Sequence, residues 1–332
     1  MIARTLLAGL RSDSRPDTDA RAAARRRRNL IIIVLAIAAL IAAAAITTPT
    51  FLTFENLLVV VRAASITGIL ALGMSYITIS GNLFALSGEE LAILSACVFA
   101  WLMRADYDLF TALVVTLLFS AVAGATQGGI IARGADPIIA TLAFGALFRG
   151  LASLVSENQN ILLGTDMAKW IGTGRPLGIP TQSWAFIILT LLAWFALQKT
   201  RFGRQLLLVG ANRLAAAATG LRVGQASLVA LILFGICSGL AGIFAASQFG
   251  LAVANLFTGL NIDVVAAVLV GGISLRGGQG SPIQAALGAI FIALLQNYML
   301  LHSFTTGQRM LVVGCLVALA TLGFHMLQRG RA

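Results

Sequence analysis

The chain has 332 residues, 59% of them hydrophobic and only 11% charged, with a mean hydropathy of +0.94. A water-soluble core of this length cannot hide so much apolar surface, so lipid must be the solvent for much of the chain. The formal net charge of +11 raises nucleic acid as a partner, but the arginines gather beside apolar segments, where membrane topology accounts for them without one.

Residues 1–29 hold eight arginines, including the run Arg25–Arg28, and read as a basic cytoplasmic tail. Leu30–Ile46 is the first apolar segment. A basic stretch before an apolar run also has the form of a signal peptide, with Ala42–Ala45 imitating a cleavage site, but the many later spans favour a retained signal-anchor. The next predicted spans are Leu57–Ser80, Ser87–Met103, Leu109–Ile131 and Pro137–Val155. After a long polar connection come Trp184–Leu197, Gln225–Phe249, Ile262–Leu275, Pro282–Leu301 and Gln308–Leu327, ten spans in all. These runs stay apolar throughout, whereas barrel strands would alternate. The 34 glycines suit close helix packing, and Gly124 with Gly128, then Gly235 with Gly239 and Gly242, have the spacing that lets two backbones approach in lipid.

The expectation is an all-α polytopic membrane protein of about ten transmembrane helices. A basic tail at 1–29 precedes a membrane domain at 30–328, and a cytoplasmic C-terminus follows at 329–332. Ten spans place both termini on one side. Most of the 23 lysines and arginines lie in 1–29, 132–136, 198–224 and the C-terminus, so that side is the cytoplasm and Ser156–Ser183 faces out.

One cytoplasmic stretch stands out, Lys199–Val223, with five cations (Lys199, Arg201, Arg204, Arg213 and Arg222) and no acid. It contains a short predicted helix with both ends marked. Asn212 is a capping residue, Arg213–Thr219 is alanine-rich, and Gly220 suits the left-handed position past the C-terminus. Such a rod is too short to span a bilayer but long enough to fill a groove on a soluble partner. An ordinary basic loop is the plainer reading.

Polar groups inside spans are costly and draw attention for that reason. Arg149 lies well inside the fifth span, Asp263 opens the eighth, and Glu89 and Glu90 open the third. Asn297 either lines a polar passage or bonds a neighbouring helix. Arg62, Glu89 and Glu90 also have the plainer reading of end-of-span residues that snorkel to water. Gly271–Gly280 invites a phosphate-loop reading but fails it, because Gly278 and Gln279 stand where lysine and serine or threonine are required. A tight cytoplasmic turn fits better, and any energised work then needs ATP from a partner. Cys97, Cys237 and Cys315 read as small core residues, and His302 and His325 suggest no metal site. No catalytic grouping emerges.

Several stretches together resemble one family, the membrane-spanning permeases of ribose-type ABC sugar importers. T-R-F-G-R (Thr200, Arg201, Phe202, Gly203, Arg204), V-G-A-N (Val209–Asn212, with Gly210), A-A (Ala215, Ala216) and T-G-L-R-V (Thr219–Val223) resemble its coupling loop. P-I-I-A-T-L (Pro137–Leu142) with R-G-L-A (Arg149–Ala152), and Asn261–Gly280, resemble later motifs in the same order. Two departures stand out. Where members commonly carry G-I-D-L-S-V-G, this chain has G-N-L-F-A-L-S-G-E-E (Gly81–Glu90), with Ala85 in place of the acid; Asn261 also replaces the usual glutamate.

The resemblance implies a type II ABC importer-like bundle in a bacterial inner membrane. Its implied partners are a second permease copy or homologue, a cytoplasmic ATPase docked on Arg213–Thr219 and an external sugar-binding protein. This chain would bind no cofactor, because ATP and Mg would be used by the ATPase. Arg149, Asn261, Asp263, Glu89 and Asn297 are then the candidate lining of the translocation path. An ion-gradient-driven secondary transporter is the alternative class. It would place acids near mid-span, whereas most acids here sit at span ends. Within ABC importers, a branched-chain amino-acid permease is the near alternative, and a membrane-embedded enzyme is a distant third.

Overall fold

The structure, a computed structural model, describes residues 15–164 and 166–329, so residues 1–14 of the predicted tail and most of the predicted C-terminus lie outside it. Among the described residues there are thirteen α-helices. In chain order the first seven are α1 (Arg15–Thr47), α2 (Phe54–Ile79), α3 (Gly88–Arg104), α4 (Leu109–Ala132), α5 (Pro137–Ser156), α6 (Asp166–Thr173) and α7 (Thr181–Lys199). They are followed by α8 (Arg201–Ala211), α9 (Arg213–Ala218), α10 (Val223–Phe249), α11 (Leu260–Val270), α12 (Pro282–Leu301) and α13 (Thr306–Arg329). Two-residue strands β1 (Ile161–Leu162) and β2 (Leu251–Ala252) pair antiparallel. Seven of the helices are long and apolar enough to cross a membrane, and shorter apolar helices accompany them. The chain is a multi-pass membrane protein.

Helices α2 and α10 form the centre. α2 is buried without interruption from Ala64 to Ile79 and packs against α7, α10, α11 and α12. α10 packs against α2, α3, α4 and α6. The paired glycines read from the sequence make the α4–α10 contact possible. A Cβ on Gly124 would lie 2.3 Å from the Leu231 carbonyl oxygen, and one on Gly235 would lie 2.3 Å from that of Ser120. Any side chain there would force the helices apart.

Three predicted features are corrected. The eighth predicted span, Ile262–Leu275, is helical only as α11, whose eleven residues reach roughly 16 Å, about half the hydrocarbon thickness. It stops at Val270, and Gly271 and Gly272 turn the chain, the latter with φ +76°. The Ser156–Ser183 connection is folded rather than plain. It contributes β1 and α6, and Gly172 of α6 closes so tightly on α10 that a Cβ would sit 2.2 Å from the Gln248 nitrogen. The basic hinge contains a helix the sequence did not announce, α8. The Thr200 hydroxyl caps it, accepting from the Gly203 nitrogen at 3.2 Å. Leu206 and Val209 are buried on one face while Arg201 and Arg204 stay exposed on the other, as in a helix lying along an interface. Gly203 and Gly210 disguise this pattern, since glycine is a poor helix former, yet both are needed for contact.

Candidate functional site

Where the hinge meets the bundle, three backbones cross on glycines. Gly81 follows α2, Gly210 lies near the end of α8, and Gly277 with Gly278 belongs to the G-G-Q-G turn after α11. The Gly278 nitrogen donates to the Ile79 carbonyl at 2.8 Å. A Cβ on Gly210 would fall 1.9 Å from that same oxygen, and one on Gly277 would fall 2.7 Å from the Gly81 Cα. Gly81, Gly277 and Gly278 have φ of +81°, +78° and +70°, a region open to glycine at no steric cost. The G-G-Q-G run is therefore a packed turn clamped against the hinge.

The short helix α9 begins three residues beyond Gly210. The Asn212 side chain accepts from the Ala215 nitrogen at 3.0 Å, and Gly220 takes φ +81°, so both predicted end signals operate. Ala216 is buried against the bundle, while Leu214 projects 85% exposed. Arg213 turns inward instead, donating to the Asn82 side-chain oxygen and, at 3.5 Å, to the Ser227 hydroxyl. Asn82 is buried, and its amide donates to the Ser80 and Ser227 hydroxyls, both at 2.8 Å.

A second polar cluster forms where α3 and α11 begin, and the two first turns satisfy each other. The Glu89 nitrogen donates to Asn261 Oδ1 at 2.9 Å, and the Asn261 nitrogen donates to Glu89 Oε2 at 3.0 Å. Each side chain thus caps the other helix, meeting N–H groups that have no partner within their own turn. The Asn261 amide also donates to the Leu86 carbonyl and to Glu90 Oε2, each at 3.0 Å. Glu90 lies beside Gly145 of α5. A carboxylate at the start of a helix meets the positive end of its dipole, which helps hold an acid away from water.

The remaining candidates are spread out. Arg149 sits on the exposed face of α5 and donates to Asn255 Oδ1 at 3.1 Å. Asp263 accepts from the Gln296 amide at 2.9 Å, joining α11 to α12. Asn297 exchanges hydrogen bonds with Asn56 at 2.8 and 2.9 Å, joining α12 to α2. The structure brings together Asn261, Glu89 and Glu90, sets Arg213 on Asn82, and leaves Asp263 and Asn297 in helix-to-helix pairs. Asn82, Ser227, Asn255 and Asn56 escaped the sequence reading. Each lies in a largely apolar or glycine-marked stretch, and it bonds a partner far away in the chain.

Helices interrupted inside an apolar bundle, with their freed backbone groups met by buried polar side chains, are how membrane proteins build a polar interior. The class is thus a polytopic α-helical membrane protein with such an interior. Residues 56–321 match the family described as branched-chain amino acid transport system / permease component, and the chain belongs to it. It is similar to the ribose import permease protein RbsC of Escherichia coli strain K12, at 31% identity over 83% of this chain and 87% of that one. The L-arabinose ABC transporter permease protein AraH of Azospirillum brasilense is 29% identical over 83% of this chain and 82% of its own length. The autoinducer 2 import system permease protein LsrC of Shigella flexneri is 34% identical over 82% and 80%. The protein is a transporter component, and its relatives include permeases of the ribose-importer type.

Proposed function

We propose that the chain is the membrane-spanning subunit of an ATP-driven importer of a monosaccharide or related polyol, fed by an external binding protein and driven by a separate cytoplasmic ATPase. Relatives named for ribose and L-arabinose support the sugar class. The observation that carries the ATP-coupled reading is α9, a rod capped at both ends whose Leu214 is 85% exposed and whose Arg213 is tied into the bundle. A capped rod transmits a push that a loose loop would absorb, and an exposed leucine among alanines suits a shallow apolar groove on a soluble partner. ATP and Mg belong to that partner in this reading, and this chain binds neither.

Arg149 supports a second permease copy or homologue beside α5. A guanidinium thirteen residues into a membrane helix is costly against lipid, yet it shares an exposed side of α5 with Ile139 and Leu142. Covering that face with another subunit, or with water between subunits, removes the cost. Bacterial relatives and the arginine distribution support a reading in which the protein lies in a bacterial inner membrane with both termini cytoplasmic. Glu89, Asn261 and Arg149 are the residues we assign to the translocation path.

Copurification tests the reading. In lipid nanodiscs, the wild-type chain should retain its co-expressed ATPase. Hydrolysis should rise about tenfold when binding protein loaded with one member of a panel of pentoses, hexoses and polyols is added, a stimulation of ordinary allosteric size. Leu214→Arg should release the ATPase while the chain still accumulates in the membrane. Retention of the ATPase by Leu214→Arg at the wild-type level would remove α9 as the docking rod.

A further inference from the structure

A non-helical segment inside an apolar bundle has to satisfy its own backbone. Between α2 and α3 the chain does so over Gly81–Ser87, the stretch in which the sequence departs from the G-I-D-L-S-V-G pattern. The Gly81 and Asn82 nitrogens donate to the Thr78 and Ile77 carbonyls at 3.0 and 3.2 Å. The Thr78 hydroxyl donates to the Leu83 carbonyl at 2.7 Å. Further along, the Leu86 nitrogen donates to the Thr141 hydroxyl at 3.1 Å, and the Ser87 hydroxyl donates to Gln127 at 2.6 Å. Asn82, Ala85 and Ser87 are all buried. A segment pinned at this many points moves as a unit. Its maximal reach, at ~3.5 Å per residue, is roughly 20 Å.

The two ends of this unit meet different things. At one end Asn82 receives Arg213 of α9. A cation in the first turn opposes the helix dipole, so Arg213 does nothing for α9 itself and its place is accounted for by the bond it makes to Asn82. At the other end, the Leu86 carbonyl accepts from Asn261, which is bound in turn to Glu89 and Glu90. We infer that Gly81–Ser87 is a rigid link that carries displacement of α9 to the Glu89–Asn261 junction of α3 and α11, with Asn82 as the positioning residue that fastens it to α9. Resting on the ATP-driven reading above, the link explains how a rod outside the bundle reaches the polar groups within it. The glycine crossing, where Gly81 packs on Gly210 and Gly277, keeps Asn82 in register with Arg213 without itself making a polar bond between them.

The test measures uptake per ATP hydrolysed, in proteoliposomes holding the chain with its co-purified ATPase, binding protein and the panel sugar that stimulates the wild type. Asn82→Ala should hydrolyse ATP yet lose about tenfold in that ratio, a coupling loss of ordinary allosteric size. Arg213→Ala should show the same loss, and the double variant should be no worse than either, because both changes cut one connection. Arg213→Lys, which keeps a donor for Asn82, should recover the ratio to within about threefold of wild type. If Asn82→Ala does not accumulate, Arg213→Ala against Arg213→Lys carries the test, since Arg213 is exposed and its loss spares the core. A wild-type ratio in Asn82→Ala, additive losses in the double variant, or failure of Arg213→Lys to recover would overturn the link while leaving the importer reading intact. Absence of ATP-coupled uptake by the wild type would overturn the importer reading, and the link with it.

Discussion

Two departures that the sequence shows separately are one arrangement at the scale of residues. Asn261 stands where relatives of the ribose type usually carry glutamate, and Glu89 and Glu90 appear where the preceding loop has lost its acid. In the structure these positions touch, so the acid has changed sides of the α3–α11 junction and the amide now stands between two carboxylates. Only a side chain that both donates and accepts can meet the Glu89 nitrogen, the Leu86 carbonyl and Glu90 Oε2 together. Asn261→Glu would put a third carboxylate there with nothing to pair it, and the expected cost is about 3–5 kcal/mol. Thermal unfolding in detergent should show it as a clear loss of Tm, and Glu89→Gln in the same chain should recover most of it. An Asn261→Glu chain as stable as wild type would mean that the reciprocal capping contributes nothing. The sequence showed the polarity of these positions but not their contact, because 172 residues separate Glu89 from Asn261.

At the scale of elements, the legible features were those with local causes. The ends of α9, the Pro137 start of α5 and the glycine pairs of α4 and α10 follow from capping and packing rules that act within a few residues. α8 was hidden because two glycines weaken its helical signal, although each is required by a close approach, Gly203 to Leu197 at the end of α7 and Gly210 to Ile79 far back in the chain. α11 was overextended because an apolar run continues past the point where Gly271 packs on the start of α12. The hinge glycines, alike in the sequence, differ in the fold. Gly220 has open space around it and only its positive φ to satisfy, so Gly220→Ala should cost about 1–2 kcal/mol of left-handed strain and leave the chain folded. Gly210→Ala drives a Cβ into the Ile79 carbonyl and must displace α8 from α2. Hydrogen exchange should then show protection lost across Arg201–Ala211 in Gly210→Ala and confined to Ala218–Leu221 in Gly220→Ala. Equal patterns in the two variants would refute the packed glycine crossing.

The whole molecule reads as a lever with its two ends in different solvents. The basic hinge lies along one surface with α9 projecting from it, and α2 and α10, the two long helices at the centre, carry the frame through the apolar region. The acids and carboxamides singled out inside that region are engaged: Glu89 with Asn261, Asp263 with Gln296, Asn297 with Asn56. A gradient-driven carrier needs a membrane acid that is free to take up and release its ion. Here Glu89 and Asp263 each hold a hydrogen-bonded structural place, and the charge on the exposed side of α5 is the cation Arg149. Composition established a membrane protein, since +0.94 mean hydropathy leaves no other solvent for the chain, and the unbroken apolar runs made it helical. The ATP-driven reading we propose rests on the hinge and on the family resemblance. The most direct test is therefore uptake of the stimulating sugar into proteoliposomes containing the chain, its ATPase and binding protein. With ATP at the α9 side, uptake should proceed and should survive proton and sodium ionophores. Uptake that follows an imposed proton or sodium gradient without ATP, and collapses with ionophores, would contradict the account.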